Sequence, residues 1–243
     1  METLHTSWFS HALKTDMPLA VYGHYGFALL MIPTASADYL EYERFHLIDA
    51  IRPFIDAGKV KVFSINSMNN ESWMNDSISP AQKVLRHTQW NNYVYDEVVT
   101  FVRQNTSAET PVITCGASFG ALHSANLFFK RPDIINGCIA MSGVYELTEY
   151  TKGYFDEDVY FNSPMHYMPN LEDHQILESI RRSAHIHLLS GSGPHEDPQS
   201  ARRFAGILHS KSIPCELDIW GEEWRHDWPT WIAMLPHYLG TRF

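Results

Sequence analysis

Long apolar runs are missing from this chain of 243 residues. None comes near the about 18 needed for a membrane-spanning helix, so none is expected. Cysteine is scarce. The three present, Cys115, Cys138 and Cys215, are an odd number without short spacing, which argues against a disulfide framework or a zinc site. Each sits in an apolar run and reads as a small buried hydrophobe. Positive charge is also short: 18 Lys and Arg stand against 28 Asp and Glu, a net charge of −10. That balance argues against nucleic acid or an anionic membrane surface as partner. The opening Met1-Glu2-Thr3-Leu4-His5-Thr6 has neither a basic nor an apolar leader region, so no secretory signal is read and a reducing cytoplasm is expected. There is no internal repeat, low-complexity segment or long linker. With 44% hydrophobic residues, the expectation is a single domain over 1–243.

What is present is Gly116-Ala117-Ser118-Phe119-Gly120, a Gly-x-Ser-x-Gly pattern. It follows the β-branched run Pro111-Val112-Ile113-Thr114-Cys115 and precedes a helical stretch that stops near Arg131-Pro132. Between a buried strand and a helix, the pattern fits a nucleophile elbow. Its glycines permit a sharp turn, and its serine is held in a strained conformation at a cost of roughly 1–3 kcal/mol.

The rest of the chain alternates strands and helices. Residues 4–9 and 19–22 suit an antiparallel edge hairpin, 27–32 a buried strand, 42–57 an amphipathic helix with Phe45, Ile48, Ile51 and Ile55 on one face, and 60–65 a strand. A helix over 90–104 leads to the elbow strand. Beyond the elbow come a strand at 136–143, an irregular segment at 144–171, a helix at 171–182, a strand at 185–189, a helix at 198–211, a strand at 215–220 and a last helix at 228–239. Such alternation predicts a mostly parallel sheet with helices on both faces. Its ligands bind beyond the carboxyl ends of the strands, where Ser118 falls.

A serine hydroxyl needs a base to take its proton and a carboxylate to orient that base, in the chain order Ser, acid, His. Of 14 histidines, His226 has the right position, after the 215–220 strand and before the last helix. His195 is its rival. Glu196, Asp197 and Asp227 all suit the acid by spacing, although Asp197 and Asp227 also suit helix caps. The oxyanion hole calls for the Phe119 amide and a second amide from Pro33-Thr34-Ala35-Ser36-Ala37, placed at Ala35 with Ser36 as the alternative. His185 and His187 share a strand face without a third ligand at suitable spacing, and no metal or cofactor is expected. Asp156-Glu157-Asp158 reads as a solvated acidic loop.

Six segments together resemble the esterase D superfamily, which includes S-formylglutathione hydrolases, feruloyl esterases and mycolyltransferases. They are Ile32-Pro33-Thr34-Ala35-Ser36, Asn66-Ser67-Met68-Asn69-Asn70-Glu71-Ser72-Trp73, the elbow, Ala140-Met141-Ser142-Gly143-Val144-Tyr145, Asp158-Val159-Tyr160-Phe161-Asn162-Ser163-Pro164, and His226-Asp227-Trp228-Pro229-Thr230-Trp231. The resemblance implies an α/β-hydrolase fold without a large cap domain, a Ser118–acid–His226 triad, and Glu196 as the acid, with Asp197 as alternative. It departs from the family pattern at Ala35-Ser36-Ala37, where relatives often carry Gly-Gly, and at His195, where they often carry tryptophan. The expected activity is hydrolysis of a small or medium carboxylic ester. The alternatives are an acyltransferase using the same triad and a non-catalytic binding or assembly module. Trp73, Tyr145, Tyr160 and Trp224 are the candidate pocket walls. Self-association is left open.

Overall fold

The computed structural model describes residues 1–243. Its strands are β1 (Thr3–Ser10), β2 (Thr15–Tyr22), β3 (Phe27–Ile32), β4 (Val60–Ile65), β5 (Val112–Ala117), β6 (Gly137–Met141), β7 (His185–Ser190) and β8 (Glu216–Ile219). They form one sheet in the order β1-β2-β4-β3-β5-β6-β7-β8. β1 pairs antiparallel with β2, and β2 with β4, while all other pairings are parallel. The helices are α1 (Glu41–Arg44), α2 (Leu47–Asp56), α3 (Pro80–Asn92), α4 (Val99–Asn105), α5 (Phe119–Lys130), α6 (Thr148–Thr151), α7 (Glu157–Phe161), α8 (Pro164–Tyr167), α9 (His174–Arg181), α10 (Pro198–Ser210) and α11 (Trp228–Thr241).

The two-residue period of a strand sorts its side chains between two cores. Ala28, Leu30 and Ile32 of β3 and Cys138 and Ala140 of β6 face one side, under α3, α4, α5, α9 and α10. Leu29 and Met31 of β3 and Ile139 and Met141 of β6 face the other, under α2 and α11. Burial on both faces explains why these strands read as unbroken apolar runs. β1, at the sheet edge, is largely exposed. This is the α/β-hydrolase architecture with its antiparallel N-terminal edge.

Three local expectations need correction. The helix expected over 42–57 is broken into α1 and α2 at Phe45 and His46, the latter at φ 63°. The break serves two anchors. α1 is tied to the end of β3 through Tyr42 and Glu41, and α2 packs Ile48, Ile51 and Ile55 beside α11. Phe45, expected on the buried face, is 44% exposed and stacks on Trp228 at 4.3 Å. The helix expected to begin at 90 begins at Pro80, where Ser79 and Gln82 form a reciprocal capping box. It continues through a π-helical turn, Tyr93–Val98, into α4. The segment 144–171 is not wholly irregular, for it carries α6, α7 and α8.

Candidate active site

The elbow is built by close approach. A side chain on Gly116 would put its Cβ 2.3 Å from the Gly120 carbonyl oxygen, and one on Gly120 would lie 2.4 Å from the Ile32 carbonyl oxygen. Glycine at both positions lets α5 press against β3 and β5. Between them Ser118 has φ 56° and ψ −121°, costing on the order of 1–3 kcal/mol. Its surroundings hold that conformation. The Ser118 amide donates to the Met141 carbonyl at 2.9 Å. The Ala117 amide donates to the Tyr42 hydroxyl at 3.2 Å, and that hydroxyl donates to the Ile32 carbonyl at 2.6 Å. Ser118 remains half-buried.

The loops that carry Glu196 and His226 follow β7 and β8 and are stitched together. The His226 amide donates to the Pro194 carbonyl at 3.1 Å and the Gly193 amide to the Trp224 carbonyl at 2.9 Å. Ser192 Oγ donates to the Trp220 carbonyl at 2.7 Å. This brings His226 Nδ1 to 3.3 Å from Glu196 Oε2. The Glu196 side chain has no exposure, whereas that of His226 keeps 26%. Burial pushes the Glu196 carboxyl up. Hydrogen bonds from His226, Ser142 and the Gly191 amide, together with the His226 charge, outweigh burial and hold it below its ordinary value. An ionised Glu196 accepts a proton-bearing Nδ1, which leaves Nε2 with a free lone pair.

Of the three candidate acids, only Glu196 touches His226. Asp197 caps α10, accepting from the Gln199 and Ser200 amides, and Asp227 caps α11, accepting from the Trp228 amide. His195 is exposed at φ 67°. No hydrogen bond joins Ser118 Oγ to His226, whose side-chain partner is Glu196.

The Phe119 amide opens α5 and has no acceptor within the helix. Its ring is buried against Trp73, Tyr150 and His123. Across from it, Ala35 and Ser36 form a turn. Glu41 pins this turn by accepting from Thr34 N at 2.8 Å and Thr34 Oγ1 at 2.6 Å, and Asn70 Nδ2 donates to the Ser36 carbonyl at 3.1 Å. The Ala35 and Ser36 amides carry no protein hydrogen bond.

The four aromatic residues do not form one wall. Trp73 is buried, its Nε1 donating to His87 Nδ1 at 3.2 Å. Tyr145 is fully buried and stacked on Phe204 at 4.6 Å, so it presents no face to a ligand. Tyr160 lines a cavity of about 340 Å³ with Phe129, Phe161 and Leu171, a cavity that includes neither Ser118 nor His226. Trp224 is half-buried in the loop before His226, edge-on to Trp220 at 4.8 Å.

The histidines at 185 and 187 are engaged elsewhere. His187 Nδ1 lies 2.7 Å from Glu216 Oε2, and His185 stacks on Phe243 at 4.0 Å. Asp156 caps α7. No three His, Cys, Asp or Glu side chains converge as a metal-binding group. The sequence pattern assigns no role to Ser142, Trp231, Glu41 or Tyr42. Ser142 and Trp231 stand inside two of the quoted segments, and Glu41 and Tyr42 flank the start of the expected 42–57 helix, yet what they do depends on contacts across the fold.

The family model described as "Putative esterase" matches residues 37–241. No curated protein matches the chain. Among solved structures, an S-formylglutathione hydrolase from Agrobacterium tumefaciens superposes with a TM-score of 0.75 at 14% identity, over 98% of this chain and 93% of that one. A ferulic acid esterase gives 0.71 at 16% identity, over 98% and 96%. The fluorophosphonate-binding serine hydrolase F of Staphylococcus aureus gives 0.68 at 15% identity, over 98% and 97%. At such identities the structures speak for the fold, and the family model speaks for the family. This chain belongs to the esterase family and is an esterase built on the α/β-hydrolase fold.

Proposed function

We propose that the protein hydrolyses small or medium carboxylic esters through an acyl-enzyme on Ser118. The observation that carries this is the pairing of His226 with the buried Glu196 at 3.3 Å, on the same sheet edge as a strained, half-buried Ser118. Ser118 Oγ attacks the ester carbonyl carbon while His226 Nε2 takes its proton. The carbonyl oxygen becomes an oxyanion, held by the amides of Phe119 and Ala35, with Ser36 as the alternative donor. His226 returns the proton to the leaving alcohol as the tetrahedral intermediate collapses to the Ser118 ester. Water then attacks with His226 again as base, releasing the acid and restoring Ser118. Glu196 stays ionised throughout and stabilises the imidazolium.

The exposure of His226 supports water as acceptor. An alcohol in its place would give acyl transfer by the same steps, and product analysis with methanol present separates the two. Trp224 stands beside the base and is the best placed of the four aromatics to meet substrate. Three unpaired cysteines suit a reducing cytoplasm, and a small ester, rather than nucleic acid, suits the charge.

Rapid mixing with p-nitrophenyl acetate tests the reading. Wild type should release a burst of about one p-nitrophenolate per chain before steady turnover. Ser118→Ala should show no burst and lose at least about 10⁴-fold in turnover. Wild-type turnover in folded Ser118→Ala would overturn the assignment.

A further inference from the structure

The acid has a support that the triad chemistry does not require. Ser142, the first residue after β6, sits at φ 52°, a left-handed conformation natural to glycine and strained for serine. A glycine stands next door at 143, fixed there because a Cβ would meet that of Ala121 at 2.7 Å. The serine nevertheless occupies the left-handed position, held by its amide to the Leu189 carbonyl at 2.7 Å.

Its hydroxyl explains the placement. Ser142 Oγ is 2.6 Å from Glu196 Oε1 and 2.9 Å from Trp231 Nε1. An indole N–H only donates, so the serine oxygen must accept there, and its single proton is directed to the carboxylate. Trp231, buried at the start of α11, also meets the His226 imidazole edge-to-face at 5.3 Å. One indole thus braces the base directly and the acid through Ser142.

We infer that Ser142 and Trp231 form a positioning relay that keeps Glu196 ionised and aimed at His226, and so sets the pH below which the base is lost. The inference rests on Glu196 and His226 being acid and base as proposed above. The other donors to Glu196 are longer, with Ser190 Oγ at 3.2 Å and the Gly191 amide at 3.3 Å. The remaining titratable group packed near it is the fully buried Tyr145. Around the pair at the surface stand His195, the Arg225–Asp227 pair at 3.3 Å and the Arg203–Asp197 pair at 4.0 Å. None of these hydrogen-bonds the Glu196 carboxylate.

Ser142→Gly is the decisive variant because it removes the hydroxyl and relaxes the backbone together. With p-nitrophenyl acetate, kcat should fall about tenfold with KM nearly unchanged. The acidic limb of kcat/KM should move to higher pH by about half to one unit, since an undersupported carboxylate makes the pair easier to protonate. The melting temperature should change little, since the relaxed backbone offsets the partners lost by the Trp231 indole and the Glu196 carboxylate. Trp231→Phe keeps the ring against His226 and removes the N–H, so the limb should move the same way by less. Should Ser142→Gly fail to fold, Ser142→Ala reads the same limb. A limb superimposing on wild type in the serine variant, or a Trp231→Phe limb that stays or moves down, would overturn the relay. Glu196→Gln is assayed alongside. If it keeps wild-type turnover, the acid assignment itself fails. If it is inactive while Ser142→Gly keeps the wild-type limb, the relay alone fails.

Discussion

His226 and the pair His87 and His123 differ in almost everything except the side chain. On one side His226 keeps contact with solvent and leans on an ionised carboxylate. On the other, His87 and His123 are sealed in the core, 1% and 2% exposed. There Trp73 Nε1 donates to His87 Nδ1 at 3.2 Å, His87 Nε2 meets His123 Nδ1 at 3.2 Å, and His123 Nε2 meets Asn69 Oδ1 at 2.9 Å. The indole can only donate, so donation runs from Trp73 through His87 and His123 and ends on Asn69 Oδ1, with both imidazoles neutral. Burial pushes His123 down to about 3 and His87 well below its ordinary value. A buried carboxylate behind a solvent-exposed imidazole equips that imidazole as a base. An indole and an amide without water make a neutral strut.

The largest effect that would break this contrast lies on the open side. Glu196→Gln should lower kcat by about 10³-fold, because the amide misorients the imidazole and no longer stabilises its charged form. Asp197→Asn, which keeps a helix cap, should stay within about twofold. A greater loss from Asp197→Asn in steady-state kinetics would reverse the assignment.

On the sealed side the expected loss is of stability. His123→Ala removes a buried ring and orphans His87 and Asn69. About 2–3 kcal/mol should go, lowering the melting temperature by roughly 5–10 °C. Turnover of the folded fraction should change by less than about threefold. A dead but stable variant would show that the sealed pair serves chemistry.

A smaller effect concerns the Ala35–Ser36 turn, proposed above to supply an oxyanion donor. Glu41 is buried, and its carboxyl is raised by that burial against the lowering from Thr34. Glu41→Ala should unpin Thr34 and cost about tenfold in kcat, less than loss of an oxyanion donor outright. Glu41→Gln, which accepts from the Thr34 amide and donates to its hydroxyl, should keep near-wild-type kcat. Equal losses in both variants would mean that charge, not the pin, is what matters.

The smallest effect is the pH dependence of stability. The folded pKa values of His87 and His123 lie below the unfolded value of about 6.5, so only the unfolded chain takes up protons first. Their contribution is complete above pH 6.5 and is lost as pH falls from there toward 3. Depressed carboxylates such as Glu196 and Glu216 add a further loss only below their ordinary value of 4.5, while raised Glu41 acts in the opposite sense. Thermal melts should therefore decline between pH 6.5 and 4.5, and less steeply in His123→Gln. A flat profile over that window would break the account of the sealed pair.

The elbow was legible because its pattern is local. Gly116 is required by a contact four residues along the chain, with Gly120, whereas Gly120 is required by the distant Ile32 and Pro33 carbonyls and was readable only from the spacing of the motif. His226 and Glu196 were legible because chain order and strand ends limit where partners of a C-terminal-edge serine can stand. Asp197 and Asp227 illustrate the remaining ambiguity, since a carboxylate before a proline-led helix suits a cap and an acid equally until contacts decide. The start of α3 carried a readable signal in Ser79-Pro80-Ala81-Gln82. The break at His46 carried none, because a non-glycine residue in the left-handed region is imposed by tertiary anchors. Ser142 is the same case, with its φ and its two partners, 54 and 89 residues away, visible only in the fold. Tyr145 shows the limit of reading aromatics as pocket walls, as its ring is core packing on α10.

The central claim is that Ser118 is an activated nucleophile, and a fluorophosphonate probe tests it most directly by intact mass and peptide mapping. The account predicts one adduct per chain, on Ser118, absent in Ser118→Ala and much slowed in Glu196→Gln. A folded sample that takes no adduct, or takes it on another residue, would contradict it.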